Sequence, residues 1–207
     1  ADLLIYHSLW GRHPDIAPFA LAINSAQADL MGLKTIQKKD RVLVGQTVVK
    51  GHGVGLNRKV GTKVLKQGLH AVMHAVTEKI VHHVDAFLVI AGLGGGTGSG
   101  GVPVVVSRLK QVYEEPIYLI GVLPSEDEGK LMAMNTIECL QELDGIVEGI
   151  LLFDNDVWKK EGLPLETSYS MMNYELVKPL PLLFGAGETE KHNVGIKVVD
   201  ASDIINT

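Results

Sequence analysis

From Ala86 to Gly101 the chain reads AFLVIAGLGGGTGSGG, an unbroken apolar run that passes directly into seven glycines within ten residues. An apolar run of strand length without polar alternation calls for burial on both faces, the environment of a parallel sheet covered by helices. Runs of the same kind recur at 18–24, 41–45, 84–91, 116–123 and 147–153, with longer segments of helical period between them. From 57 to 83, Val60, Val64, Leu65, Val72, Val76 and Ile80 keep to one face while Lys59, Lys63, Lys66 and Glu78 point elsewhere, as an amphipathic helix requires. Further helices are predicted over 102–113 and 128–143. This alternation predicts an α/β domain built on a parallel sheet. In such sheets ligands bind beyond the carboxyl ends of the strands, so attention falls on the loops after residues 24, 45, 91, 123 and 153.

Glycine loses more conformational entropy on folding than any other residue, so the cluster at 92–101 needs a reason. Bare backbone lets several N–H groups turn toward one anion, helped by the dipole of the helix that follows, and phosphate is the obvious anion. A P-loop is excluded, because no GxxxxGK followed by Ser or Thr occurs and GQTVVKG has the wrong order. A dinucleotide fingerprint remains open: Gly96, Gly98 and Gly101 satisfy GxGxxG between a strand and a helix, which would make the chain an NAD-binding oxidoreductase. That motif also wants an acidic residue at the end of the next strand, and here PIYLIGVL is apolar to its end, with Glu126 and Glu128 arriving only after Pro124. A glycine-rich turn with no ligand is the third reading.

GGGTGSG at 94–100 resembles the signature loop of tubulin and the FtsZ proteins. Other stretches fall in that family's order. INSAQADL at 23–30 is similar to its second nucleotide loop, and LVGQTVVKGHGVG at 43–55 to its third. PSEDEG at 124–129 resembles the ribose-binding loop, FDND at 153–156 the guanine-reading loop, and YSMMN at 169–173 the helix that carries a base-stacking aromatic and an amide. VKGHGVG, LPSEDEG, FDND and LLFGAGE together look closest to the archaeal tubulin-like CetZ group.

The resemblance implies a three-layer (αβα), Rossmann-like GTPase domain over residues 1–184, with 185–207 forming a linker and the start of a second domain. It implies a GTP or GDP site: Asn24, Gly95, Gly96, Thr97, Gly98, Ser99 and Gly100 around the phosphates, and Gly51, Gly53 and Gly55 at the terminal phosphate. Glu128 would take the ribose, and Asn155, Tyr169 and Asn173 the guanine. The family completes its active site with two carboxylates from the next subunit, in a pattern NxDxxD. VVDASD at 198–203 supplies Asp200 and Asp203 at that spacing, with Val198 in place of the asparagine. Read without the resemblance, Asp200 or Ser202 would serve as a helix cap before Ile204. The implied protein is a GTPase that assembles head to tail with itself, in cell shape control or division, with Mg2+ bridging phosphates through water rather than held by a dedicated acidic pair. A relative that binds nucleotide without turning it over stays open as an alternative.

Three departures accompany the match. The family's first phosphate loop should precede residue 1, so the chain is expected to be truncated. Met132 stands where FtsZ proteins carry an arginine. Pro179 and Pro181 interrupt the central helix, which is predicted to end or kink near Lys178.

Composition narrows the remaining classes. Of 207 residues 46% are hydrophobic and 21% charged, and the net charge of -5 comes without a basic stripe, which argues against nucleic acid or an anionic membrane as partner. No apolar run approaches the roughly 18–20 residues that span a bilayer. Cys139 stands alone and cannot form an internal disulfide; a cytoplasmic setting is expected. His70, His74, His82 and His83 are read as surface residues rather than a metal site. Met171, Met172, Trp10 and Trp158 are assigned to packing.

Overall fold

The computed structural model describes residues 19–80, 83–158 and 165–180. Their contacts divide the chain into two compact units, Ala20–Val157 and a second whose described part is Phe19, Trp158 and 165–180.

The larger unit alternates strand and helix in the expected way. Strand β1 (Ala22–Asn24) leads into the short helix α1 (Gln27–Met31), then β2 (Arg41–Leu43), a helical turn α2 (Gln46–Val49) and the long helix α3 (Arg58–Lys79). Strand β3 (Phe87–Gly92) feeds α4 (Gly96–Val112), β4 (Ile117–Leu123) feeds α5 (Lys130–Leu143), and β5 (Gly149–Asp154) ends in the turn α6 (Asn155–Trp158). All strand pairs are parallel. They form two sheets, β1-β2 and β3-β4-β5, where the sequence reading expects one. Among the described residues no strand joins β1 to β3.

Register explains which side chains are inside. Val89, Leu119 and Ile150 lie in one row across the larger sheet. Ile117 and Leu119 are fully buried beneath Val64, Leu65 and Val72 of α3, Val102, Val106 and Leu109 of α4, and Cys139 and Leu143 of α5. Burial on both faces holds for the central strand β4, where Ile120 is buried as well. It fails at β5, where Leu151 and Leu152 are 51% and 52% exposed; among the described residues β5 pairs with β4 alone.

Helix boundaries depart from the sequence reading in one instructive place. Helix α3 starts where its cap dictates, with the Asn57 side chain accepting from the Val60 N–H at 3.1 Å. Helix α4, predicted from residue 102, begins at Gly96, so the glycine motif forms its first turns. Glycine is a poor helix former, and tertiary packing overrides that preference. A Cβ on Gly61 of α3 would overlap the Gly96 carbonyl oxygen, and one on Gly100 would overlap that of Arg58. The two helices therefore touch backbone to backbone, and Thr62 Oγ1 donates to the Gly100 carbonyl at 2.9 Å across the contact.

In the second unit, helix α7 (Leu165–Val177) ends where Pro179 predicts, and Lys178 N–H closes its last turn on Tyr174 O at 2.8 Å. Met172 is buried, but Trp158, assigned to packing, is 41% exposed. No helix among the described residues is long and apolar enough to cross a membrane.

Candidate functional site

Because the strands are parallel, the loops leaving β3, β4 and β5 emerge from one edge of the sheet. Gly92, Val122 and Phe153 are register partners there. Each of these loops carries residues singled out from the sequence, and hydrogen bonds tie them to the loops after β1 and α2.

The glycine loop lies at the centre. Four of its amides, those of Gly94, Gly95, Thr97 and Gly98, make no hydrogen bond among the described residues, whereas Gly96 N–H donates to Gly55 O at 2.8 Å and Ser99 N–H to Gly95 O at 3.1 Å. Thr97 and Gly98 lie in the first turn of a 17-residue helix whose dipole favours an anion. Gly95 has nothing within 4 Å of the position of a Cβ. By contrast a Cβ on Gly96 would lie 2.8 Å from the Asn57 backbone, and one on Gly98 would overlap the Gly92 carbonyl. The glycines thus divide into those that allow close packing and two, Gly92 and Gly95, that face open space.

The loop 50–55 owes its shape to left-handed backbone. Gly51, Gly53 and Gly55 have φ of 81°, 80° and 57°, values that side-chain-bearing residues adopt at a cost. It docks on the loop after β1 through Gln27 N–H to Gly51 O at 2.8 Å and the bridge between Ala26 and His52. Asn24 shapes that loop from within: its Oδ1 accepts from Ser25 and Ala26 N–H, and its Nδ2 donates to Asp29 at 3.1 Å. The next residue, Ser25, is fully buried, and its hydroxyl lies 2.7 Å from that of Thr97.

On the other side, Glu128 Oε2 accepts from Ser125 N–H at 2.7 Å in a capping box, which leaves the second carboxylate oxygen for a ligand. Asp156 reaches across to Glu126 N–H at 2.7 Å and so joins the loop after β4 to the loop after β5, where Asn155 opens α6. Pro124 and Met132 abut Gly94: a Cβ there would lie 3.0 and 3.1 Å from theirs. Met132 therefore fills space and brings no positive charge.

Three contributors escaped the sequence reading. Ser25 and Asp156 lay inside motifs quoted for their neighbours. Asn135, on the buried face of α5, was missed altogether, although a polar residue in register with Cys139 was the signal available.

Tyr169 and Asn173 share one face of α7 in the second unit, with Tyr169 45% exposed. Asp200 and Asp203, together with Val198 and Pro181, lie outside the described residues. Among the described residues no group of three His, Cys, Asp or Glu side chains could hold a metal ion.

The model of the tubulin/FtsZ family GTPase domain matches residues 6–161. The chain belongs to the tubulin/FtsZ family. The model of the tubulin-like CetZ C-terminal domain matches 162–207. Within the family, the chain is 47% identical over 197 residues to the tubulin-like protein CetZ1 of Haloferax volcanii, covering 95% of this chain and 50% of that protein. It is 48% identical over 189 residues to CetZ3 of the same organism, covering 91% and 49%. The chain thus spans about half the length of the curated relatives it matches. Among solved structures it superposes on the GDP-bound monomer of H. volcanii CetZ1 with a TM-score of 0.83 at 45% identity, over 93% of this chain and 55% of that one. For the GTPγS-bound protofilament of CetZ2 the TM-score is 0.81 at 37% identity, over 91% and 53%. The fold is therefore the three-layer α/β domain of the tubulin/FtsZ family, as the glycine signature implied. The dinucleotide reading finds no support, and Gly101, its third glycine, packs against Leu65.

Proposed function

We propose that this chain is the nucleotide-binding part of a CetZ-type GTPase that binds GTP and GDP and assembles head to tail with itself. The observation that carries the reading is the set of open amides at Gly94, Gly95, Thr97 and Gly98, at the meeting point of the loops after β1, β3 and β4. Four N–H groups without partners, at and just before a helix N-terminus, suit the phosphate tail of a nucleotide. The GDP and GTPγS bound in the related CetZ structures agree with this assignment.

In this reading Gly95, Gly96, Thr97, Gly98, Ser99 and Gly100 form the phosphate cradle, with Asn24 shaping the loop beside it. Gly51, Gly53 and Gly55 meet the terminal phosphate, Glu128 accepts from a ribose hydroxyl, and Asn155, Tyr169 and Asn173 recognise guanine. Mg2+, when bound, neutralises phosphate charge; the described carboxylates do not cluster to hold it, so it would sit on the nucleotide. Asp200 and Asp203 act on the nucleotide of the neighbouring subunit, where a carboxylate orients the attacking water, since phosphoryl transfer depends mainly on positioning and charge stabilisation. Hydrolysis is then coupled to assembly in the cytoplasm, and filament dynamics serve cell shape.

Two measurements test this. Nucleotide released by denaturing the purified full-length protein should chromatograph as GDP or GTP; a nicotinamide dinucleotide in its place overturns the reading. GTP turnover per subunit should rise with protein concentration, and a flat rate near background marks a binding relative without turnover.

A further inference from the structure

We propose that Asn135 is a positioning residue that sets the spacing between the glycine loop and the terminal-phosphate loop, and so governs discrimination of GTP from GDP. The inference rests on the guanine-nucleotide reading of this site and deepens it. Helix α5 buries a face made of Asn135, Thr136, Cys139 and Leu143. Cys139 and Leu143 pack in the hydrophobic core. A carboxamide that is only 5% exposed beside them is unfavourable unless its polar atoms are satisfied. Its Nδ2 is: one bond goes to Gly94 O at 2.9 Å, the other to Leu56 O at 3.0 Å.

These two carbonyls belong to different loops. Gly94 opens the glycine motif, and Leu56 follows Gly55, the last glycine of the 51–55 loop. The preceding carbonyl, Gly55 O, accepts from Gly96 N–H at 2.8 Å. Two consecutive carbonyls at the exit of the terminal-phosphate loop are thus held, one by the backbone of the glycine loop and one by a side chain of α5. The planar NH2 group fixes the angle between its two donors, and hence the separation of the loops it bridges. No other side chain among the described residues bonds to both loops.

The consequence is unequal for the two nucleotides. The glycine loop would contact phosphates that GTP and GDP share, while the 51–55 loop would contact only the terminal phosphate. Loss of the Nδ2 donors frees both Gly94 O and Leu56 O; the glycine loop stays anchored on the sheet through Leu93 N–H to Val122 O and in the first turn of α4 through Ser99 N–H to Gly95 O, whereas the 51–55 loop loosens against it, so binding of the triphosphate suffers most.

The test compares the full chain with Asn135→Ala and with Asn135→Asp, which keeps the shape and removes the NH2 group. GDP and GTPγS affinities are measured for each by displacement of a fluorescent nucleotide. The GTPγS-to-GDP preference should fall about tenfold in both variants, the effect of one hydrogen bond lost on the 51–55 side, with GDP affinity changed much less. Equal loss of both nucleotides, or an aspartate variant that behaves as the parent, overturns the proposal. A parent chain that binds neither nucleotide overturns the guanine-nucleotide reading and this inference with it. Should neither variant fold, the parent chain decides by NMR: the Asn135 side-chain amide protons should exchange slowly with solvent, and fast exchange overturns the clamp.

Discussion

Gly95 and Gly98, three residues apart, predict opposite phenotypes. Gly98→Ala places a methyl group against the Gly92 carbonyl, which belongs to the sheet and cannot yield easily. It should lower stability by about 1–3 kcal/mol, as overpacking does, and a thermal melt will show it. Gly95→Ala meets nothing within 4 Å, and the φ of -76° there suits any residue. Its melt should stay within about 0.5 kcal/mol of the parent, while nucleotide affinity falls because the methyl group occupies the phosphate approach. The sequence reading assigned the whole cluster to phosphate. It was incomplete about why the glycines are there, since close contact between α3 and α4 involves residues some 40 positions apart in the chain and leaves no local pattern. Cys139 offers a third check. Burial pushes its thiol up to about 12, the Arg58 charge opposing and Glu142 reinforcing the shift. The native protein should not react with a thiol reagent at neutral pH, and reaction should appear only on unfolding.

At the level of elements, the connection between α4, β4 and β5 rests on one carboxylate. Glu148, just ahead of β5, pairs with Lys110 near the end of α4 and accepts from Ile117 N–H at 2.6 Å where β4 begins. Partial burial pushes its pKa up, but the Lys110 and Ile117 hydrogen bonds and the lysine charge outweigh that, and the net shift is downward from 4.5. A carboxyl lowered in the folded state stabilises fully above its unfolded value and loses the contribution as pH falls through the folded one. Glu148→Gln should therefore be less stable than the parent at neutral pH, with the gap in melting temperature closing as the solution is acidified below about pH 4. A gap that stays constant with pH would show that the charge plays no part. Element type and order were legible in advance because apolar runs of strand length and amphipathic segments differ in period. Element ends were less legible. The start of α4 was set by packing on α3, and β5 was read as doubly covered because an apolar run looks the same at the edge of a sheet as at its centre.

For the whole molecule the question is how the proposed site, closed by a second subunit, would report its state. The described residues supply one half of that proposed site: the glycine loop, the 51–55 loop and the loops after β1, β4 and β5, tied to one another by Asn135, Ser25 and Asp156. The proposed other half, VVDASD, is read only through the family resemblance, because two aspartates ahead of an apolar stretch otherwise look like an ordinary helix cap. If Asp200 works on a neighbour's nucleotide, binding and turnover must separate on mutation. Asp200→Ala in the full-length protein leaves untouched every residue proposed to hold phosphate and ribose, so GTP affinity should stay near that of the parent. Turnover should fall by about 10²–10⁴, the range for loss of a group that positions or accepts a proton. On the proposed coupling, in which the triphosphate favours the subunit contact and hydrolysis weakens it, polymers of the variant should form with GTP yet persist where those of the parent disassemble. Light scattering followed over time, with phosphate release measured in parallel, distinguishes the outcomes. A variant whose polymers dissolve at the parental rate, or which loses GTP binding while still folded, would place the catalytic carboxylate elsewhere.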